Sequence, residues 1–595
     1  VVSKHRIVFL ALFASLALPA TAGAHATLMG SSPERGAEIP RAPQRVELRF
    51  SETVEIAFGA VRVYDARGER VDSGPAEHPG GRGDAVAVAL RRGLGDGIYT
   101  ATYRVVSADS HPVAGGFTFT VGSGGAAPAL TVGELIDAGG AGPVTEGVFG
   151  AVRALGYVAI ALAVGTFAFA AAVWRPALRA VAGPGSGWGE ASHTFAGRTR
   201  AIGVLAAALG LATSALGIVL QGATAGATSF RSALEPAVVE DVLSTRFGTV
   251  WSMRLLAWVV LALLIALPAA RMRAAELHPA SLGATGLAPS AAARPVAVAL
   301  AAALLAFLCL TPALAGHAST LDPSAILVPA NGVHVAAMSV WVGGVGVLLL
   351  AMPGATRRLA PPDRTRLLAA AVTRFSTIAL CAVAALVASG IAQAIPELDS
   401  LSDFVDTAFG RALLAKIVLL LALVGLGAWN RQRSRPRLAS LAAGGAPPGR
   451  EGVLLRRTLR AETVLMLGAL CATAALVAYS PPVGAGGPFS ATENLGPARM
   501  ELTVDPARTG ANVIHIYLLD RGDGRPYDRV RDFVLTARLP EERIGPLELH
   551  AEKAGPGHYV VRRAQLAPGG DWMLGLSGRV SAFDLLSGSV EVAIE

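Results

Sequence analysis

A chain of 595 residues that is 52% hydrophobic and only 16% charged, with a mean hydropathy of +0.51, is too apolar for a soluble protein of this size. Its formal net charge of +8 comes from arginines placed mostly between apolar runs. They read as topology determinants, which argues against a nucleic-acid partner. Cys309, Cys381 and Cys471 all fall inside apolar runs with no CxxC spacing, so the expectation is buried structural thiols and not a disulfide framework.

In chain order, Lys4 and Arg6 precede an apolar run over 7–20, and Ala22-Gly23-Ala24 follows. This is the pattern of a secretory signal peptide, residues 1–24, with an A-x-A cleavage site. Cleavage there would make His25 the first residue of the mature chain. Residues 25–122 then leave the apolar regime. Short alternating runs at 45–50, 60–64, 85–90, 99–106 and 116–121, punctuated by Gly, Pro and Asp, predict a small antiparallel β-sandwich. The Gly- and Ala-rich stretch 123–147 reads as a linker.

Eight apolar windows follow, at 148–172, 200–221, 251–270, 296–314, 331–352, 374–394, 411–430 and 460–480. Each is close to the roughly 20 residues that cross a hydrocarbon core as helix. Arginines cluster in alternate connections, including Arg175, Arg179, Arg198 and Arg200, then Arg271 and Arg273, then Arg357, Arg358, Arg364 and Arg366, then Arg431 to Arg457. The positive-inside bias therefore puts those connections in the cytoplasm and both chain ends outside, in agreement with an exported head. A link over 481–496 leads to strand-like runs over 497–595, a second small β-sandwich. The fold class expected is a multidomain membrane protein: an N-terminal antiparallel β-sandwich, an eight-helix transmembrane bundle over 148–480 in the lipid bilayer of the cytoplasmic membrane, and a C-terminal β-sandwich.

Two places in the head supply metal ligands. A terminal His25 offers its α-amine and its imidazole Nδ1, which close a chelate ring around one ion. In Asp109-Ser110-His111, residues two apart point the same way along a strand or its tight end, so carboxylate and imidazole can converge. Amine, two imidazoles and a carboxylate form an N,O set suited to tetragonal Cu(II). Glu52 is a further or outer carboxylate.

His25-Ala26-Thr27-Leu28, Ser31-Ser32-Pro33, Leu48-Arg49-Phe50-Ser51-Glu52 and Ser107-Ala108-Asp109-Ser110-His111-Pro112-Val113-Ala114-Gly115-Gly116-Phe117-Thr118-Phe119 resemble the periplasmic copper-binding protein CopC. The resemblance covers the head and implies a Cu(II) site made by His25, Asp109 and His111 with Glu52 close by. Some CopC proteins carry a Met-rich Cu(I) site as well; with Met29 the only head methionine, none is expected here. The helical part resembles CopD, the membrane partner of CopC, through Gly316-His317-Ala318, His334 with Trp341-Val342-Gly343-Gly344, Ser389-Gly390, and Phe409-Gly410-Arg411-Ala412-Leu413-Leu414-Ala415-Lys416 with Asn430-Arg431. Through Asp505-Pro506-Ala507-Arg508 and Gly555-Pro556-Gly557-His558-Tyr559 the tail is similar to FixH/YtkA-like β domains.

His334 and Met338 are four apart and Trp341 three further on, so they share one face of the fifth span, with His317 in the connection before it. Imidazole and thioether suit Cu(I), against the plainer reading of a hydrogen-bonded His334 and a packing Met338. Arg254 and Lys416, near span ends, are read as cations snorkelling to headgroups, and His515, His550 and His558 as scattered surface histidines. The function expected is copper binding outside the membrane and copper transport across it, with import as the direction. Catalysis is not expected, and no nucleotide-binding loop occurs in the sequence. The rival reading is a membrane redox enzyme or a haem or copper electron-transfer protein.

Overall fold

Where apolar side chains alternate with polar ones the chain forms strands, and where they run on without interruption it forms helices. The structure, a computed structural model, describes residues 26, 28–34, 37–108, 110, 112–122, 143–183, 187–277, 293–321, 323–398, 403–477, 489–505, 507–521, 527–555, 557–581 and 584–594. His25, Asp109 and His111 lie outside the described residues, as do the signal segment 1–24 and most of the two links. The chain divides into two units, one holding the membrane helices and the other holding both β domains.

The head is a sandwich of two sheets. One has the order β1 (Leu28–Ser32), β3 (Arg45–Phe50), β7 (Ala85–Leu90), β6 (Asp72–Glu77). The other has β2 (Glu38–Ile39), β9 (Pro112–Val121), β8 (Gly97–Ser107), β4 (Val54–Glu55), with β5 (Val61–Tyr64) also on β8. Period-two patterning fixes which face is buried: Val46, Leu48 and Phe50 of β3 enter the core with Val86, Val88, Phe117 and Phe119. Arg45 and Arg49 between them stay exposed. Each such large apolar side chain contributes about 1.5–3 kcal/mol by burial.

The tail repeats this architecture with its own core. Its sheets are β10 (Phe489–Leu495), β11 (Ala498–Asp505), β12 (Gly510–Asp520), β16 (His558–Leu566), β15 (Glu552–Gly555), and β14 (Ile544–Leu549), β13 (Arg531–Leu539), β17 (Gly570–Arg579), β18 (Leu585–Ile594). Trp572, fully buried, sits among Ile514, Ile516, Leu518 and Leu574. Strand β10 occupies residues that the sequence reading assigned to the second link.

Among the described residues, eight helices are long and apolar enough to cross a membrane. They are α1 (Pro143–Ala168), α2 (Gly187–Ala225), α3 (Arg246–Leu277), α4 (Ala293–Leu314), α5 (Ser324–Leu350), α6 (Pro361–Ala394), α7 (Ala408–Trp429) and α8 (Gly449–Leu476). Most overrun the apolar windows, because flanking Ala, Glu and Arg are themselves good helix formers. Helix α1 continues through a π turn, Phe169–Trp174, into Arg175–Val181.

Helices α1 and α5 cross at glycines. A Cβ on Gly343 would overlap the Ala161 carbonyl and one on Gly165 would overlap the Gly343 backbone, so small residues let the two backbones touch. Trp174 stacks on Phe195 at 3.9 Å beside Phe169 and Phe375, which ties α2 and α6 to this pair. On the other side of α7, Asn430 donates to Glu462 at 2.7 Å and accepts from Thr458 at 2.8 Å, linking α7 and α8. Arg431 reaches Ser376 of α6 at 3.1 Å. Of the three cysteines only Cys309 is buried. Cys381 and Cys471 are exposed on helix surfaces, so the expectation of buried thiols fails for them. Hydropathy marks a window as membrane-spanning but does not say which helix face meets a neighbour.

Candidate metal centre

Strand pairing brings the flanks of every predicted head ligand to one end of the sandwich. Strand β1 begins at Leu28, opposite Phe50 at the end of β3. Glu52 occupies the bend between β3 and β4, and β4 pairs Val54 with Ser107 and Glu55 with Val106 at the end of β8. Across from them β9 restarts at Pro112, opposite Val106. Leu28, Glu52, Ser107 and Pro112 therefore lie at one end of the sandwich.

Two features of that edge fit a ligand-holding turn. Ser110 is buried, takes a φ of 74° and donates its N–H to the Ser107 carbonyl at 2.9 Å. Left-handed backbone at a non-glycine residue is costly and is kept where the surroundings enforce it. Glu52 is half-buried with its Oε1 shielded from solvent.

In the bundle the structure gives His334 a defined partner. Its Nδ1 lies 3.1 Å from the Ser389 hydroxyl on α6, and that hydroxyl donates to the Ala385 carbonyl at 2.7 Å. A hydroxyl has one proton, so Nδ1–H donates to it and the ring's lone pair lies on Nε2. Gly390 makes room for the ring: a Cβ there would lie 3.2 Å from His334 Cε1. The pairing of His334 with Ser389-Gly390 connects two of the short motifs that sequence reading picked separately.

Further polar groups extend this contact. Asn331 donates to Gln393 at 2.6 Å, and Gln393 donates to the Ser389 carbonyl at 2.9 Å. Ser389, Gln393 and Glu397 succeed one another at four-residue spacing. Sequence reading missed this ladder. Its signal, polar residues at i, i+4 and i+8 inside an apolar run, was available.

Other candidates fall out differently. Met338 packs against two apolar clusters, and Trp341 belongs to the core beside Phe375. His317 opens a 3₁₀ turn, His317–Ser319, packed between the ends of α4 and α5 with its Nε2 buried. The snorkelling assignment fails for Arg254, which is buried at 6% exposure with its guanidinium 4.9 Å over Trp251. An aromatic face and close contact with Gly156 hold that cation inside the bundle. In the tail, His515 and His558 are buried at 8% and 6% exposure and so are not surface histidines.

A β-sandwich followed along the chain by eight helices long and apolar enough to cross a membrane defines an integral membrane protein with a separate β-sandwich head. The CopC domain family matches residues 28–122. The family Copper resistance protein D-like, N-terminal domain, matches 144–293, and Copper resistance protein D matches 369–476. The chain is 29% identical over 526 residues to the copper transport protein CutJ of Bacillus subtilis, covering 87% of this chain and 86% of that one. Its head is 32% identical over 123 residues to copper resistance protein C of Pseudomonas syringae pv. tomato, covering 20% of this chain and 97% of that one. Among solved structures, CopC from Methylosinus trichosporium OB3b is 28% identical and covers 18% of this chain and 98% of that one, with a TM-score of 0.16.

The chain belongs to the CopC–CopD copper resistance proteins, with a CopC domain and a CopD membrane domain in one polypeptide. This is a family of copper binding and copper transport, not of catalysis.

Proposed function

We propose that the head captures Cu(II) outside the cytoplasmic membrane and that the bundle conducts copper inward. The ligands are the α-amine and ring of His25 after removal of residues 1–24, the carboxylate of Asp109 and the ring of His111, with Glu52 as outer partner. The observation that carries this reading is the strand register, which brings Leu28, Glu52 and the Ser107 to Pro112 turn to one edge.

In the bundle, His334 presents its Nε2 as a ligand, oriented by Ser389. His317 and Met338 are accessory donors, and Asn331, Gln393, Glu397 and Lys416 supply a polar lining. One imidazole and a thioether suit Cu(I), so copper enters the bundle after reduction by an external electron donor. Arginine placement supports a head and tail outside the membrane, and import is the direction proposed. Copper uptake into proteoliposomes holding the full chain, with His334→Ala and His111→Ala for comparison, tests this: both variants lose uptake, and uptake at the wild-type rate in either variant contradicts the path.

A further inference from the structure

We propose that the C-terminal β-sandwich holds a second copper site, a two-coordinate Cu(I) between His515 and His558. The inference rests on the reading that this chain handles copper. In β12, Ile514, Ile516 and Leu518 point into the tail core, so His515 and Tyr517 occupy the opposite face of the sheet. Tyr517 pairs with His558 of β16 in the ladder. The outer face of a lone sandwich would be wet, yet both histidines are buried. The Tyr517 hydroxyl bonds instead to Thr118 of β9 in the head at 3.0 Å.

The two rings lie 5.5 Å apart at 17°, and His515 Nδ1 faces His558 Nε2 at 3.2 Å. Tyr517 stacks on His558 at 4.2 Å and fixes that ring's plane. Two imidazole nitrogens at this separation share one proton. A monovalent ion can take its place if the donating ring moves that proton to its other nitrogen, with no net loss of protons. Linear coordination needs about 4 Å, twice a metal–imidazole bond of about 2 Å, so each ring gives by a few tenths of an ångström.

Charge selects the oxidation state. Among the described residues there is no group of three or more His, Cys, Asp and Glu that could hold a metal ion, and a site made of two neutral imidazoles favours a monovalent over a divalent ion. Two neutral imidazoles with Cu(I) add only one charge to the site. The contact with Thr118 joins this site to β9, the strand that begins at the edge of the Cu(II) site.

The test is anaerobic Cu(I) titration of the full chain in detergent against a chromogenic Cu(I) chelator, in a His334→Ala background that removes the bundle ligand. The His558→Gln variant keeps a hydrogen-bonding side chain beside His515 but loses the ligand. The expected result is one Cu(I) equivalent fewer in that variant, with affinity at the site reduced by more than about 100-fold. An equal number of equivalents in both proteins overturns the site and leaves the pair as a structural hydrogen bond. Should the variant fail to fold, X-ray absorption of the His334→Ala protein carrying Cu(I) decides: a linear two-nitrogen shell supports the site, and a shell with oxygen or sulfur neighbours contradicts it. Cu(II) electron paramagnetic resonance (EPR) on the same samples reports the head site independently, so loss of capture there is distinguished from absence of the tail site.

Discussion

His334 on α5 and Ser389 on α6 meet at 3.1 Å, and the serine is already donating to the Ala385 carbonyl at 2.7 Å. The histidine tautomer is thereby set, with Nε2 facing away from the serine. Ser389→Ala removes the acceptor while leaving the ring in place. Copper uptake by that variant is expected to fall by about 10-fold, in the range that loss of an outer-shell orienting group costs a metal site. Initial rates of uptake in proteoliposomes measure it, with His334→Ala as the full-loss reference. An unchanged Ser389→Ala rate would separate the contact from transport.

The crossing of α1 and α5 at Gly165 and Gly343 sets a second prediction. A side chain at either position meets backbone, which cannot turn aside as a flexible side chain can. Gly343→Val should cost at least the roughly 1–3 kcal/mol of an overpacked core, seen as a lower midpoint of thermal unfolding in detergent. Gly425→Ala on α7, where a Cβ meets nothing within 4 Å, is the control. It should leave the midpoint unchanged or raise it, since Ala is favoured over Gly in a helix by up to about 1 kcal/mol.

Tyr517 and Thr118 link tail and head through one hydrogen bond of 3.0 Å, and Thr118 is buried at 4% exposure. Tyr517→Phe leaves that hydroxyl without its phenol partner at a cost of about 1 kcal/mol. Hydrogen exchange at the amides of β9 and β12 should accelerate by about 5-fold, with the strands of the tail's opposite sheet unaffected. Acceleration spread evenly over the whole tail would indicate general unfolding and not a broken link.

Much of the architecture could be read from side-chain periodicity. Val46, Leu48 and Phe50 alternate with Arg45 and Arg49, and the burial of that strand follows the alternation. The eight apolar windows became eight long helices, since length and composition are what a hydrocarbon core selects. Contacts between distant segments were less legible. Arg254 looked like an interfacial cation because its depth depends on Trp251 and Gly156, which accept it inside the bundle. His515 and His558 looked scattered because 43 positions separate them and only the β12–β16 register brings them together. The Ser389, Gln393 and Glu397 ladder was visible as helical spacing, but its importance came from partners on other helices. The proposal of His25, Asp109 and His111 as head ligands rests on their sequence pattern and on the strand edge formed by their described neighbours.

The most direct test of the account is Cu(II) EPR of the full chain in detergent, comparing protein that begins at His25 with protein extended by one residue ahead of it. Capture through the terminal amine predicts a tight tetragonal signal at one Cu(II) per chain that is lost or strongly weakened in the extended form. The same signal and affinity in both forms would contradict the amino-terminal site and, with it, the proposed entry point for copper.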